Sequence, residues 1–393
     1  MSSHEIPLSS PDVGELEEQL VLRVLRSGRL SIGPMLEEFE HLVAERAGCS
    51  HSVAVSSGTS GLHASLAALG IGPGDEVITT PFSFIASANV ILMVGATPVF
   101  VDICPTTLNM DPSRIEAAIT PRTAAILGVE AFGNCAHMGE YARIAARHEI
   151  PLVEDCCEAL GCRSGGRKAG SFGRVGVFGF YPNKQITTGE GGMIVTDDAN
   201  LADVCRSLRN QGRRVAANLT TKDPQPMNTG SWLAHERLGF NYRMSEVSAA
   251  IGVAQMRRFD EIVARRQKVA SLYMDRLMGI PDLVLPTVAP GDETSWFVYV
   301  VRLAAGYGRE ERDRIIRGLR NHEIGCADYF PCIHLQPFYR DMFGYEPGRF
   351  PVAESVSQRT IALPFHARMG EREVDLVAQT LELMLRREDL NRP

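Results

Sequence analysis

The sequence of 393 residues has no surplus of basic residues, because 40 Lys and Arg are set against 47 Asp and Glu, which gives a formal net charge of −7. A protein without a cationic surface has no field that attracts the phosphate backbone of nucleic acids. We therefore exclude non-specific nucleic-acid binding as a function.

The sequence also lacks a long apolar run of the kind that crosses a membrane. Its longest uncharged stretch, residues 77–101, is interrupted by Pro81, Asn89 and Pro98, whereas a spanning helix needs about 20 consecutive, mostly apolar residues. We interpret this stretch as buried strand, helix and strand. The N-terminal residues have no basic region followed by an apolar segment, the mark of secretion. Both absences predict a cytoplasmic protein without a membrane partner.

Paired cysteines are missing as well. The nine cysteines are scattered, with no C-x-x-C pair and no His at the spacing of a zinc site. Structural zinc sites and redox motifs depend on such spacings. We expect reduced, mostly buried thiols and no metal centre.

Short apolar runs alternate with amphipathic, helix-length segments between residues 53 and 195. The runs at 77–80, 99–101, 124–129 and 152–155 are rich in Val and Ile, and a helix is predicted between the last two at 137–148. Strands separated by helices indicate crossover connections and a parallel sheet buried on both faces. The fold class predicted for this part of the chain is α/β.

The length allows about two to three domains. Residues 244–278 carry apolar positions at helical spacing without Pro, then a strand-like run at 295–302 and a helical pattern at 310–322 follow. We predict a large, mainly parallel α/β domain over residues 1–265 and a smaller α+β domain over residues 266–393. The polar segment 215–238 is predicted to be an irregular loop.

Lys184 lies between aromatic residues and the Gly-rich turn 189–192. Burial lowers the pKa of a lysine and makes its amine a usable nucleophile toward carbonyl groups. For a lysine taken alone, a solvated position on a loop remains the simpler interpretation.

Two further segments could bind a cofactor. The turn 56–61 follows a predicted strand and precedes a helix, so its backbone N–H groups and hydroxyls suit a phosphate, although a purely structural turn is equally compatible. Asp155 ends a predicted strand, where ligands bind in open α/β sheets, although it could equally cap a helix. A carboxylate there could keep a ring nitrogen protonated. Together with Lys184, these parts are what a pyridoxal 5'-phosphate site requires.

The chain resembles the DegT/StrS-type sugar aminotransferases, which are fold-type I pyridoxal-phosphate enzymes that aminate keto-sugars attached to nucleotides. The resemblance covers nearly the whole chain, and the segments that carry it are 27–34, 56–60, 72–78, 154–155, 183–184, 189–192, 239–245, 329–337 and 362–364. It implies a fold-type I transferase and a homodimer whose active site is shared between subunits.

The resemblance assigns roles to individual residues. It implies that Lys184 bonds the cofactor and moves the proton between the donor carbon and the cofactor, and that Asp155 pairs with the pyridinium nitrogen. The turn residues Gly58, Thr59 and Ser60 would hold the phosphate. Phe84 would stack on the cofactor ring, where ordinary core packing is the alternative.

Other assignments depend on the resemblance alone. Glu158 would lie near the cofactor's phenolic oxygen, a variant associated with perosamine-type synthases, and would there share a proton. Asn241 and Arg243 would reach the phosphate and active site of the neighbouring subunit. The expected substrate-side residues are Ser31, Tyr329 and His334, with His366 as a further candidate, although a lone His is commonly structural.

The sequence departs from the family pattern at two places. Gly179 stands where the family usually has a phosphate-binding Ser, so that a backbone N–H or water would have to substitute for its hydroxyl. The segment 129–133 lacks a His that the family commonly has, and Glu130 lies within it.

The function implied is amino transfer, with L-glutamate as the expected donor and a keto group of a nucleotide-linked deoxysugar as the acceptor. Amination of a cyclitol, formation of an aminohydroxybenzoate-type product and a non-catalytic, cofactor-binding regulatory role remain as alternatives. Relatives that dehydrate sugars replace the lysine with His, and Lys184 argues against that reaction.

Overall fold

The computed structural model describes residues 5–213 and 234–391. Most of the predicted loop 215–238 therefore lies outside the described residues. The strands are β1 His51–Val55, β2 Glu76–Thr79, β3 Thr97–Phe100, β4 Thr123–Val129, β5 Leu152–Asp155, β6 Arg163–Ser164, β7 Arg167–Lys168, β8 Val175–Gly179, β9 Gly192–Thr196, β10 Leu283–Val284, β11 Tyr299–Leu303 and β12 Thr360–Leu363.

The helices are interleaved with these strands. They are α1 Glu15–Ser27, α2 Pro34–Ala47, α3 Gly58–Ala68, α4 Ala86–Met93, α5 Pro112–Ala118, α6 Met138–Arg147, α7 Ala199–Arg209, α8 Glu246–Arg257, α9 Phe259–Leu277, α10 Arg309–Asn321, α11 Pro337–Phe343, α12 Pro351–Ser357 and α13 Glu371–Asn391. No helix within the described ranges has the length and apolar character needed to cross a membrane.

A seven-stranded sheet in the order β1-β9-β8-β5-β4-β2-β3 forms the centre of the larger part of the chain. The pairs from β8 across to β3 are parallel, and β9 is antiparallel to both of its neighbours. The prediction of a mainly parallel α/β fold is confirmed.

Both faces of this sheet are buried, as expected for parallel strands joined by helices. Successive residues of a strand point to opposite faces, so Ile126 packs into one apolar cluster with Phe39 and Phe178, whereas Ala125 and Leu127 pack into another. This double burial explains why the strands read as continuous apolar runs in the sequence.

A second, antiparallel sheet of β10, β11 and β12 packs with α9, α10 and α13 around a separate core. Helix α9 connects the two cores. Its residues Phe259 and Ile262 pack against the large sheet, while Val269 and Tyr273 pack in the core of the smaller one. The change of partner takes place between residues 262 and 269, within a continuous helix.

Candidate active site

Three predicted site segments meet at one edge of the large sheet. The turn 56–60 follows β1, Asp155 ends β5, and Lys184 lies in the connection after β8. These three strands run in the same direction, so their carboxyl ends lie at the same edge, where ligands of open α/β sheets bind.

Asp155 is a buried carboxylate, with a residue exposure of 7%. Its Oδ2 atom accepts a 2.6 Å hydrogen bond from Ser87 Oγ, and its Oδ1 atom lies 3.3 Å from the backbone nitrogen of Cys157. No ion pair of Asp155 is found over residues 5–213 and 234–391, although buried charges are normally paired. The site therefore offers a buried carboxylate to a cationic group of a ligand.

Lys184 lies beside Glu158, with 3.3 Å between Nζ and Oε1, and its Nζ is 4.1 Å from the centre of the Phe297 ring. The other oxygen of Glu158 accepts a 2.8 Å bond from the backbone N–H of Phe132. Burial raises the pKa of Glu158, an effect that the Lys184 ammonium partly opposes. A carboxyl group in this state can hold or release a proton next to the amine.

The backbone of Glu158 is anchored by a contact that sequence reasoning missed. Gln185 Nε2 donates to the carbonyl oxygen of Glu158 at 2.6 Å and to Ser295 Oγ at 2.9 Å. Ser295 lies just before β11, so this bond ties the smaller part of the chain to the lysine segment. No sequence signal connects residues 110 positions apart.

The turn after β1 is organised as the N-terminus of α3. Ser57 caps this helix, accepting a 3.0 Å bond from the Ser60 backbone N–H, while the Ser60 hydroxyl bonds back to the Ser57 backbone. Ser60 Oγ is therefore engaged within the turn. The first helical N–H groups, those of Gly58 and Thr59, have no acceptor inside the helix and are oriented for an anion.

Glycine is required where this turn approaches β8. A Cβ atom on Gly58 would lie 2.6 Å from Cys157 Sγ, and one on Gly179 would lie 3.2 Å from Cys157 Cβ. Both distances are shorter than ordinary contacts, so Cys157 occupies the space that a side chain at 179 needs. A side chain at position 179 would therefore require Cys157 to shift by a few tenths of an ångström.

Phe84 precedes α4 and is 61% exposed, so it is not a core residue. It lies on the segment that carries Ser87, the donor to Asp155. Tyr329 is half-buried, and burial followed by the charge of Glu158 raises its pKa, while a hydrogen bond with Asn183 opposes this shift. Tyr329 therefore lies close to the lysine segment.

His334 is placed differently. Its side chain is 0% exposed, its Nε2 lies 3.1 Å from Glu354 Oε1, and the rings of Tyr345 and Phe350 flank it. The side chain is thus enclosed, although its segment contacts the chain just after β2, where the Ile333 backbone N–H donates a 2.8 Å bond to the Pro81 carbonyl oxygen. His366 is also buried, and burial followed by the charge of Arg266 lowers its pKa to about 4.

Asn241, Arg243 and Ser31 form a group of their own. Asn241 pairs with Asn210 through the backbone, Arg243 donates a 2.9 Å bond to Asn210 Oδ1, and Ser31 pairs with Ser245. The intervening Tyr242 accepts a 2.8 Å bond from the Ser56 backbone. Arg243 lines a cavity of about 190 Å³ with Ile32, Leu36, Arg206, Arg209, Asn210 and Arg213.

Glu130 and Glu154 are two buried acidic residues that lie close to each other. Burial, and then the charge of Glu154, raise the pKa of Glu130 well above its ordinary value. Glu154 accepts backbone bonds from Gly170 and Gly173 at 2.9 and 2.5 Å. Burial also raises the pKa of Glu154 to about 7, and neither carboxyl oxygen of Glu130 has a hydrogen-bond partner within the described residues.

The chain is similar to known proteins over nearly its whole length. Residues 11–382 match the model of the DegT/DnrJ/EryC1/StrS aminotransferase family. GDP-perosamine synthase from Caulobacter vibrioides is 38% identical, over 97% of this chain and 98% of that protein. The crystal structure of DesI with its TDP-sugar product is 30% identical with a TM-score of 0.85, over 99% of this chain and 95% of that one.

A third similar protein is the sugar aminotransferase Spr1654 from Streptococcus pneumoniae in its PLP form, which is 27% identical with a TM-score of 0.89, over 98% of this chain and 99% of that chain. The matches span the whole described fold, including the sheet edge with Asp155 and Lys184. The chain belongs to the DegT/DnrJ/EryC1/StrS aminotransferase family and is a transaminase.

Proposed function

We propose that this transaminase uses pyridoxal 5'-phosphate to transfer an amino group from L-glutamate to a keto group of a nucleotide-linked deoxysugar, and that it acts as a homodimer. The observation that carries the proposal is the buried carboxylate of Asp155, which shares a strand edge with Lys184 and has no cationic partner among the described residues. The likeness to GDP-perosamine synthase and to DesI supports the substrate class.

The residues present fit this cofactor. A protonated pyridine nitrogen would be the cation that Asp155 lacks, and the free N–H groups of Gly58 and Thr59 at the start of α3 suit a phosphate. The exposed ring of Phe84 is available to cover the pyridine face. Asn241 and Arg243 would complete the phosphate site of the neighbouring subunit, as the family resemblance implies.

When bound, pyridoxal phosphate supplies an electron sink for the negative charge left on the donor carbon. The protein residues supply the rest. Asp155 would hold the ring nitrogen protonated, and Lys184 Nζ would take the proton from the donor carbon and deliver it to the cofactor. Glu158 Oε1, which lies 3.3 Å from Lys184 Nζ, would hold the lysine amine in place. Tyr329, which lies near Glu158 and Asn183, would contact the sugar, and binding of the distant nucleotide would orient the ketone.

A labelling experiment tests this proposal. Purified protein with pyridoxal phosphate and ¹⁵N-glutamate is offered GDP- and dTDP-linked 4-keto-6-deoxysugars and, separately, a cyclitol ketone, and products are examined by mass spectrometry. We expect label in a nucleotide sugar and none with Lys184→Ala, whereas Lys268→Ala, which removes an exposed lysine of α9, retains the transfer. Label only in the cyclitol would overturn the substrate class, and failure to take up the cofactor would overturn the proposal entirely.

A further inference from the structure

A chain of buried hydroxyl groups ends on Asp155. Ser87, in the first turn of α4, places Oγ 2.6 Å from Asp155 Oδ2 and 3.0 Å from Ser83 Oγ. Ser83 and Ser87 are 5% and 1% exposed. A hydrogen bond of this length to a carboxylate oxygen is in the range of strong, charge-assisted bonds.

The direction of the bonds follows from the chemistry of the groups. An ionised carboxylate only accepts hydrogen bonds, and a serine hydroxyl has one proton to donate. The proton of Ser87 therefore goes to Asp155, and Ser83 must donate to Ser87. The longer contact of Ser87 Oγ with the carbonyl oxygen of Phe84, at 3.3 Å, needs the same proton and is the weaker bond.

We propose that Ser87 is a positioning residue for the cofactor's ring nitrogen, acting through Asp155. Its bond fixes the orientation of the carboxylate and stabilises the charged form that a pyridinium requires. Because Ser87 lies one helical turn after Phe84, the same short segment sets the contact to the ring face and the contact to the ring nitrogen. This inference rests on the proposed use of pyridoxal phosphate.

The inference predicts a specific pattern of cofactor affinity. Ser87→Ala removes the donor to Asp155 and is expected to weaken pyridoxal phosphate binding about tenfold. Ser87→Thr keeps a hydroxyl at the same position and is expected to restore binding to within about threefold of the unchanged protein. Ser83→Ala removes only the outer hydroxyl and is expected to have a smaller effect than Ser87→Ala.

The experiment is a cycle of four proteins, namely the unchanged chain, Ser87→Ala, Asp155→Asn and the double variant. Dissociation constants for pyridoxal phosphate are measured by titration of the visible absorbance, together with the pH midpoint of the bound cofactor's spectrum. If Ser87 acts through Asp155, Ser87→Ala weakens binding about tenfold with Asp155 present and by about twofold or less with Asn at position 155. The pH midpoint moves in Ser87→Ala and returns in Ser87→Thr.

Ser207→Ala serves as the matched control, because Ser207 is a buried helical serine whose Oγ has no partner within the described residues. It should leave affinity and spectrum unchanged. Equal effects of Ser87→Ala in both backgrounds would show a packing role and overturn the inference, as would an unchanged dissociation constant. An unchanged protein that binds no pyridoxal phosphate would instead defeat the proposed function, so the two failures are distinguishable.

Discussion

Two acid–base pairs of similar length lie in different parts of this molecule. Lys184 and Glu158 are 3.3 Å apart at the sheet edge, with side-chain exposures of 14% and 10%, whereas His334 and Glu354 are 3.1 Å apart, with exposures of 0% and 12%. The lysine of the first pair is partly exposed, whereas the histidine of the second is not. The second is enclosed by aromatic rings.

The carboxyl groups of the two pairs also differ in their donors. Burial raises the pKa of Glu158, which has one backbone donor. Burial acts on Glu354 in the same direction, but backbone bonds from Phe350 and Gly348 and the bond with His334 outweigh it, so that its pKa is lowered. A paired acid and base therefore does not mark an active site by itself. The two pairs differ in the exposure of the base and in the hydrogen bonds that the carboxyl group accepts.

The largest expected effect is the loss of activity on removal of the Lys184 amine. Lys184→Ala should lower the rate of amino transfer by at least about a thousandfold, because the group that moves the proton is lost. Steady-state kinetics with glutamate measures this loss, and the Lys268→Ala protein is the control. A variant that keeps more than a tenth of the activity would show that another group moves the proton.

A change in the enclosed pair of His334 and Glu354 is expected to affect stability more than activity. His334→Ala opens a cavity among aromatic rings and should lower the free energy of unfolding by about 3 kcal/mol, with kcat of the folded protein within about twofold of the original. Denaturant unfolding and kinetics on the same preparation check both values. A large loss of kcat at unchanged stability would return His334 to the substrate-side role that its sequence context implies.

The protonation of a second buried histidine, His366, should contribute to the pH dependence of stability. Burial, followed by Arg266 and Arg368, lowers the pKa of His366 from the ordinary 6.5 to about 4. Between these values the unfolded chain binds a proton that the folded chain does not. His366 should therefore contribute up to about 3 kcal/mol above pH 6.5, and this contribution is lost as the pH falls toward 4.

Unfolding curves of His366→Asn between pH 4 and 7 measure this contribution. The variant should show a flatter decline of stability toward acid than the unchanged protein. Identical slopes would mean that His366 is protonated in the folded state at these pH values.

The smallest effect is expected at the tight approach of β8 to Cys157. Gly179→Ser should lower stability by about 1–2 kcal/mol, because the new Cβ lies 3.2 Å from Cys157 Cβ. Cys157→Ala in the same protein removes the Sγ atom, 3.4 Å from that position, and should recover part of the loss. Additive losses in the double variant would show that the two positions do not share this space.

The sequence predicts the sheet and the site's main groups. Parallel strands buried on both faces leave continuous apolar runs, and the residues that end them must meet at one edge, so the placement of Asp155 follows from local pattern. Lys184 is indicated instead by its aromatic neighbours and the Gly-rich turn after it. The helical pattern over 244–278 likewise predicts α8 and α9.

What only the tertiary structure decides are contacts between segments far apart in the chain. Ser87 reaches Asp155 across 68 positions, and Gln185 reaches Ser295 across 110. Cys157 fills the space beside Gly179, and His334 is enclosed by residues 345–354. The spacing of apolar residues indicates which face of a helix or strand is buried, but it does not indicate which other segment packs against that face. The sequence thus determined the fold class and the candidate reacting groups, whereas packing decided which groups contact them and which titratable pair is enclosed.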